Sequence, residues 1–300
     1  MLAQQVALVT GASRGVGRGI AKQLGAAGAT VYVTALTPEK EDAVVKSVAN
    51  KLPTLKQTVD EINSKGGKAI GVYCDHANPS DVNNLFDQIA REQNNQLDLL
   101  VNNAFSAVTL MLKVMHKKFF ELPEEVYDKV NDVGLRGHYM CARRAAQMMV
   151  PRKKGLIVTT SSPGGLNYIF NVAYGINKAG CDRLAADMAI ELKEFNVASV
   201  SLWPGAVRSE LFMDCGLLNN HNVINLFKDA ESVDMVGKCV TALAADKNIM
   251  NKTGHILTDM ELAKEYNLYE EDGTQPHDPV VEPHLGFVHL LNQVRAQISL

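Results

Sequence analysis

Short β-branched runs alternate with longer helical patterns along this chain, and that alternation restricts its fold more than any other feature. VALVT at 6–10, ATVYVT at 29–34, AIGVYCD at 69–75, LDLLVNNA at 97–104, GLIVTTSS at 155–162, VASVSLWPG at 197–205 and GHILTD at 254–259 read as seven strands. Helical patterns lie between them at about 15–27, 80–93, 124–149, 173–195 and 232–245. Strands this apolar need cover on both faces, so the pattern predicts an α/β fold, a doubly wound seven-stranded parallel sheet with helices on both faces. With right-handed crossovers, a ligand crevice opens at the carboxyl ends of the strands where the strand order reverses. One elaborated unit is expected over 1–260, followed by a carboxyl-terminal extension over 261–300. Val44, Val48, Leu52, Leu55, Val59 and Ile62 keep helical spacing, but Pro53 cannot sit inside an unbroken helix, so two helices or a kink are expected there.

Composition narrows what such a sheet could serve. Hydrophobic residues make up 46% of the 300 and charged residues 21%, which is globular rather than disordered or fibrous. The net charge of -3 comes from 30 basic and 33 acidic residues with no block able to displace many counterions, so nucleic acid is not an expected partner. Cys74, Cys141, Cys181, Cys215 and Cys239 are widely and irregularly spaced, which reads as reduced core thiols. His116, His138 and His221 show no metal-ligand spacing, and no metal is expected. The amino terminus enters a strand almost at once, unlike a signal peptide. No apolar run reaches the roughly 18 residues of a spanning helix.

The segment TGASRGVG, Thr10 to Gly17, sits at the first strand-to-helix junction. There Gly11 permits a tight turn, while Gly15 and Gly17 let backbone approach a diphosphate at a helix amino terminus; Ser13, Arg14 and Val16 belong to the same turn. The spacing is GxxxGxG, neither a GxGxxG fingerprint nor a Walker loop, and its position implies a dinucleotide in a Rossmann-like sheet. No carboxylate follows the second strand before Glu39, and Arg14 can meet a 2′-phosphate, so NADPH/NADP is expected, with NADH/NAD as the alternative. Asp75, just beyond the third strand, could fix the adenine amino group or cap a turn. Asn102 and Asn103 end the fourth strand, where they could face the cofactor or cap backbone.

Tyr174 and Lys178 stand four apart on one helix, which places phenol and ammonium a turn apart on one face. A cation there stabilises phenolate, so the pair can pass a proton. Ser162 closes the preceding strand and can hold a substrate carbonyl while the tyrosine protonates it. Pro204 and Gly205 end the sixth strand, and Ala206, Val207, Arg208 and Ser209 can wrap the nicotinamide side of the crevice. Leu211, Phe212, Met213, Leu217 and Leu218 supply apolar surface for a lid over a small hydrophobic carbonyl substrate, or ordinary core.

TGASRGVG at 10–17, NNA at 102–104, NDVGLRGHY at 131–139, SSPGG at 161–165, YGINK at 174–178 and WPGAVRSE at 203–210 together resemble the short-chain dehydrogenase/reductase family. The resemblance covers about 1–260. It implies Ser162, Tyr174 and Lys178 as catalytic residues, Gly11, Gly15 and Gly17 as the dinucleotide loop, Asp75 at the adenine, Asn102 at the cofactor and Ser209 at the carboxamide. It further implies an NAD(P)-dependent oxidoreductase, a homo-oligomer, reduction of steroid or xenobiotic carbonyls, and endoplasmic-reticulum association on the cytosolic face, with cytoplasm as the alternative. Two other classes remain open: an NAD-dependent alcohol dehydrogenase and a noncatalytic dinucleotide-binding regulatory protein. Departures from the family pattern are Phe105 in place of the glycine of NNAG, Gly134 in place of the catalytic asparagine, and Asp259-Met260-Glu261 in place of aspartate-glycine-glycine. Gly134 offers no side-chain amide, so Gly134→Asn is expected to speed proton transfer if the local backbone admits it; Asn131 lies three residues earlier.

After Pro276, Pro279 and Pro283, Phe287, Leu290, Leu291, Val294 and Ile298 recur at helical spacing. An amphipathic helix is expected, able to lie on a membrane, cover a subunit interface or cap the crevice. Arg295 is the only Lys or Arg from 284 onward, so peripheral membrane association would be apolar-driven.

Overall fold

The computed structural model describes residues 1–114, 116–214, 230–278 and 281–297. Cys215, Leu217, Leu218, His221 and Ile298 lie outside the described residues.

The β-branched runs pair as seven parallel strands, β1 (Val6–Val9), β2 (Thr30–Ala35), β3 (Lys68–Tyr73), β4 (Leu99–Asn102), β5 (Gly155–Thr160), β6 (Val197–Trp203) and β7 (Ile256–Thr258), in the order β3-β2-β1-β4-β5-β6-β7. The order reverses between β1 and β4, where Val9 lies beside Val101. The carboxyl ends of β1, β4, β5 and β6 therefore line one crevice, and each ends on a sequence-predicted site segment.

Helices cover both faces. Among the described residues they are α1 (Gly15–Ala26), α2 (Ala43–Ser47), α3 (Leu55–Ser64), α4 (Pro79–Glu92), α5 (Val108–Val114), α6 (Glu125–Asn131), α7 (His138–Met149), α8 (Val172–Leu192), α9 (Glu210–Asp214), α10 (Val233–Ala245), α11 (Asp259–Tyr266) and α12 (Leu285–Gln297). One core joins Ile20 and Leu24 of α1 to Val236 and Val240 of α10 against β1, β2 and β6. The other packs Phe86 and Ile89 of α4 and Cys141 and Met149 of α7 against the opposite face. Each such side chain contributes roughly 1.5–3 kcal/mol on burial. Pro53 does divide the second helical region into α2 and α3, with Thr54 and Gln57 forming a reciprocal capping box at the new start.

The region expected as one helix over 124–149 is interrupted. A π-helical turn, Asp132–Gly137, lies between α6 and α7, and Gly134 sits within it against α8. Cys74, Cys141, Cys181 and Cys239 are free and buried, and burial pushes the Cys181 thiol up to about 11.

The expected boundary at 260 falls inside α11. Beyond it the chain returns to the sheet, where Val288 and Leu291 of α12 pack on Trp203 and Ile256. The Asn292 side-chain amide accepts from Ile256 N at 2.9 Å and donates to Ile256 O at 2.8 Å, so it satisfies the outer edge of β7 as another strand would. Among the residues named for the amphipathic stripe, Leu291 packs inward and Phe287, Leu290 and Val294 are exposed, while the fully buried Val288 was not among them. No helix of the described residues is long and apolar enough to cross a membrane.

Candidate active site

The glycine turn is braced from two strands. Gly11 takes φ +63°, and its N–H donates to Thr34 Oγ1 at 3.1 Å at the end of β2. Thr34 in turn meets His76 Nε2 at 2.8 Å; burial lowers that histidine to about 4, so it is neutral and structural. Asn103 Nδ2 donates to Thr10 O at 2.9 Å and to Gly11 O at 3.2 Å, tying the end of β4 to the turn. A Cβ on Gly17 would lie 2.5 Å from that Asn103 nitrogen and 2.6 Å from Gly11 O, which is why this position must be glycine.

A diphosphate fits the amino terminus of α1. Gly15 takes φ +58°, and among the described residues only Ser209 Cβ comes near its missing side chain, at 3.5 Å, so Ser209 borders the loop. The Gly15 N–H donates to Glu210 Oε2 at 2.6 Å, and Arg18 Nη1 reaches Glu210 Oε1 at 3.1 Å. A side-chain anion from α9 thus rests where the helix end favours negative charge, and a diphosphate would take its place. Ser13 is buried, with its carbonyl accepting from Thr58 Oγ1 at 2.8 Å, and Val16 packs into the core. Both build the turn from beneath.

Other cofactor candidates divide by accessibility. Arg14 pairs with Glu41, so a 2′-phosphate would compete for its guanidinium. Asp75 Oδ2 accepts from Lys40 at 3.0 Å and its Oδ1 from Ala77 N at 3.1 Å, which leaves it at the turn after β3. Asn102, expected to contact cofactor, is fully buried and donates to His138 O at 3.0 Å, so it anchors β4 to α7. Its neighbour Asn103 braces the turn instead. Pro204 is buried behind Gly205, and Val207 bridges to Glu231.

Ser162, Tyr174 and Lys178 converge beside this loop. Ser162 Oγ lies 2.9 Å from Tyr174 Oη and accepts from Gly164 N at 3.1 Å. Asn171 caps the start of α8 by accepting from Tyr174 N at 3.0 Å, which sets where the tyrosine enters the helix. A Cβ on Gly164 would come 2.6 Å from Tyr174 Cε1, so the glycines of SSPGG let strand end and helix meet. Lys178 is buried and donates to Thr160 O at 3.2 Å.

Aromatic rings hold this group. Phe105 and Phe170 meet the Tyr174 ring edge-to-face at 6.1 and 5.1 Å, and Lys178 Nζ lies 5.2 Å from the Phe105 centroid. The π-helical turn brings Gly134 against the same ring: a Cβ there would lie 2.9 Å from Phe105 Cδ2 and 2.8 Å from Asn177 Nδ2. Phe105 and Asn177 thus fill the space beside Gly134. Asn131 accepts from Asn177 Nδ2 at 3.4 Å and donates to Tyr127 O at 3.0 Å, within α6. His138, neutral because burial and Lys178 lower it to about 3, binds Ala104 O at 3.0 Å.

The profile of the short chain dehydrogenase family matches residues 5–217. The chain belongs to this family. It is 47% identical over 281 residues to mouse "Dehydrogenase/reductase SDR family member 1", covering 91% of this chain and 85% of that protein. It is 31% identical over 261 residues to the Arabidopsis thaliana protein named "NADPH-dependent aldehyde reductase 2, chloroplastic", covering 86% of this chain and 89% of that one. The crystal structure of a metagenomic short-chain oxidoreductase in complex with NADP superposes with a TM-score of 0.64 at 28% identity, over 82% of this chain and 93% of that chain. Membership in the short-chain dehydrogenase family makes this protein an NAD(P)-dependent oxidoreductase that reduces carbonyl groups. No group of side chains among the described residues is arranged to hold a metal ion.

Proposed function

We propose that the protein is an NADPH-dependent reductase of hydrophobic carbonyl compounds, with ketosteroids and xenobiotic ketones as its substrate class. The reading is carried by the Ser162–Tyr174 pair at 2.9 Å, with buried Lys178 on the next turn of α8 and the glycine loop alongside. NADPH when bound supplies the hydride. Ser162 holds the substrate oxygen by a hydrogen bond, Tyr174 Oη delivers the proton to that oxygen, and Lys178 supports the phenolate left behind. Phe105 and Phe170, packed on the Tyr174 ring, supply an apolar wall that suits such a substrate. A purified-protein screen of NADPH and NADH against ketosteroids, aromatic ketones, quinones and diones tests the class; turnover confined to small polar aldehydes would reject it.

NADPH is expected to bind at least about tenfold more tightly than NADH, because a 2′-phosphate gains a charge-assisted bond from Arg14 and meets no carboxylate directly after β2. Glu41 must release Arg14 for this to occur, and the approach of a phosphate offsets that loss. Equal dissociation constants in calorimetry would reject the assignment.

The stripe of Phe287, Leu290 and Val294 on α12 supports weak, apolar-driven association with endoplasmic-reticulum membranes. Replacing these three exposed residues with serine is expected to reduce liposome flotation while Val288 and Leu291 keep the helix docked. Unchanged flotation, or loss of a dimer instead, would reject the membrane reading.

A further inference from the structure

Three carboxyl groups from three separate segments meet the first two amides after Pro204. Gly205 N–H lies 3.1 Å from both Glu231 Oε1 and Asp259 Oδ2, and Ala206 N donates to Asp278 Oδ2 at 2.6 Å. Glu231 precedes α10, Asp259 begins α11 and Asp278 belongs to the carboxyl-terminal extension; all three are buried. Gly205 admits them, since a Cβ there would come 2.6 Å from Asp278 Oδ2. The other Asp278 oxygen accepts from Val281 N at 3.1 Å, so the aspartate is anchored on its own segment as well. Backbone pairing closes the turn from the other side: Glu231 N donates to Ala206 O and Arg208 N to Glu231 O, each at 2.9 Å.

We infer that Asp278 is a positioning residue for the nicotinamide end of the cofactor: with Glu231 and Asp259 it fixes the Gly205–Ala206 turn, so the extension completes the dinucleotide site. The inference rests on reading this crevice as that site. An amide held by a buried carboxylate keeps the turn in one conformation, whereas an orphaned buried N–H would draw the turn out towards water.

The cluster also needs a proton. Glu231 Oε1 and Asp259 Oδ2 share the Gly205 N–H, and among the described residues no donor reaches the buried Glu231 Oε2, so a proton on Glu231 relieves the meeting of two buried carboxylates. Burial and the Asp259 charge hold Glu231 well above the usual carboxylate range. Also facing this pair are Asp278, Glu270, which accepts from Ser232 N and Oγ at 2.7 Å each, and the neutral thiol of Cys239; Lys238 and Arg208 are the cations on its flank. Because the folded state keeps this proton longer than the unfolded chain does, the contribution to stability is full at low pH and falls as pH rises through the elevated value.

Calorimetry of the full chain with NADPH and with 2′-phospho-ADP-ribose, which lacks nicotinamide, separates positioning from general stability. Asp278→Ala is expected to weaken NADPH about tenfold while leaving the fragment unchanged within about twofold. Asp278→Asn preserves shape and one acceptor oxygen and should fall between, which provides the reading if the alanine variant does not fold. Glu231→Gln replaces the carried proton with a permanent donor and should flatten any weakening of NADPH binding as pH rises. Both ligands bound as by the unmodified chain, or both weakened equally, in the Asp278 variants would overturn the inference. Failure of the unmodified chain to bind either ligand would instead reject the dinucleotide reading.

Discussion

Tyr174→Phe is expected to lower turnover with NADPH by about a thousandfold, with cofactor affinity changed less than about twofold. The variant keeps the ring and loses only the hydroxyl. Packing of that ring is supplied by Phe105 at 6.1 Å and Phe170 at 5.1 Å, both edge-to-face, and neither contact uses the phenolic oxygen. The backbone anchor, Tyr174 N to Asn171 Oδ1 at 3.0 Å, is likewise untouched. What disappears is the group 2.9 Å from Ser162 Oγ that can give a proton to an oxygen held by that serine. Steady-state NADPH oxidation with an accepted ketone, paired with calorimetry, checks both halves. Turnover within about tenfold of the unmodified enzyme would remove Tyr174 from the acid's role.

Much of this arrangement was legible because it is written in short-range spacing. Tyr174 and Lys178 share a face of α8 at an interval of four, TGASRGVG lies where a strand must turn into a helix, and Pro53 breaks the helical pattern that surrounds it. Each signal depends on residues within one or two turns of one another. The misses depend on contacts across the chain. Asn102 and Asn103 are adjacent and identical in type, and only the pleat of β4 decides that the first is buried against α7 while the second reaches the glycine turn. Glu210 closes the WPGAVRSE segment after the sixth strand, and no local spacing shows that it meets Gly15 N, 195 positions away. Asp278 lies among the prolines of the carboxyl-terminal extension, where no spacing marks it out, and it accepts from Ala206 N, 72 positions back. Of the stripe Phe287, Leu290, Leu291, Val294 and Ile298, Leu291 turns to the sheet while Phe287, Leu290 and Val294 are exposed, and the buried Val288 was passed over, because spacing identifies a face but not which face meets the sheet.

Gly134 reverses the expectation drawn from sequence. Supplying the family's asparagine at 134 promised a faster proton relay because it restores a side-chain amide, provided that the local backbone admits it. Its surroundings are filled: the first added carbon would lie 2.8 Å from Asn177 Nδ2 and 2.9 Å from Phe105 Cδ2. Neither neighbour is free to leave, since Asn177 Nδ2 donates to Val130 O at 3.1 Å and the Phe105 ring lies 5.2 Å from the Lys178 ammonium. The two departures, an aromatic at 105 and a glycine at 134, therefore act as one packing solution. Gly134→Asn is expected to destabilise the fold by about 2 kcal/mol through overpacking. By pushing Phe105 against Lys178 and Tyr174 it should also cost turnover on the order of a hundredfold, the scale of an ångström-sized misplacement. Phe105→Gly with Gly134→Asn removes the larger obstruction, so the double variant should be more stable than Gly134→Asn alone, a coupling that a thermal-melt double-mutant cycle reads directly. A single Gly134→Asn variant that melts like the unmodified enzyme and turns over as fast or faster would show that the space beside Lys178 can be opened at little cost, and the sequence-based expectation would stand.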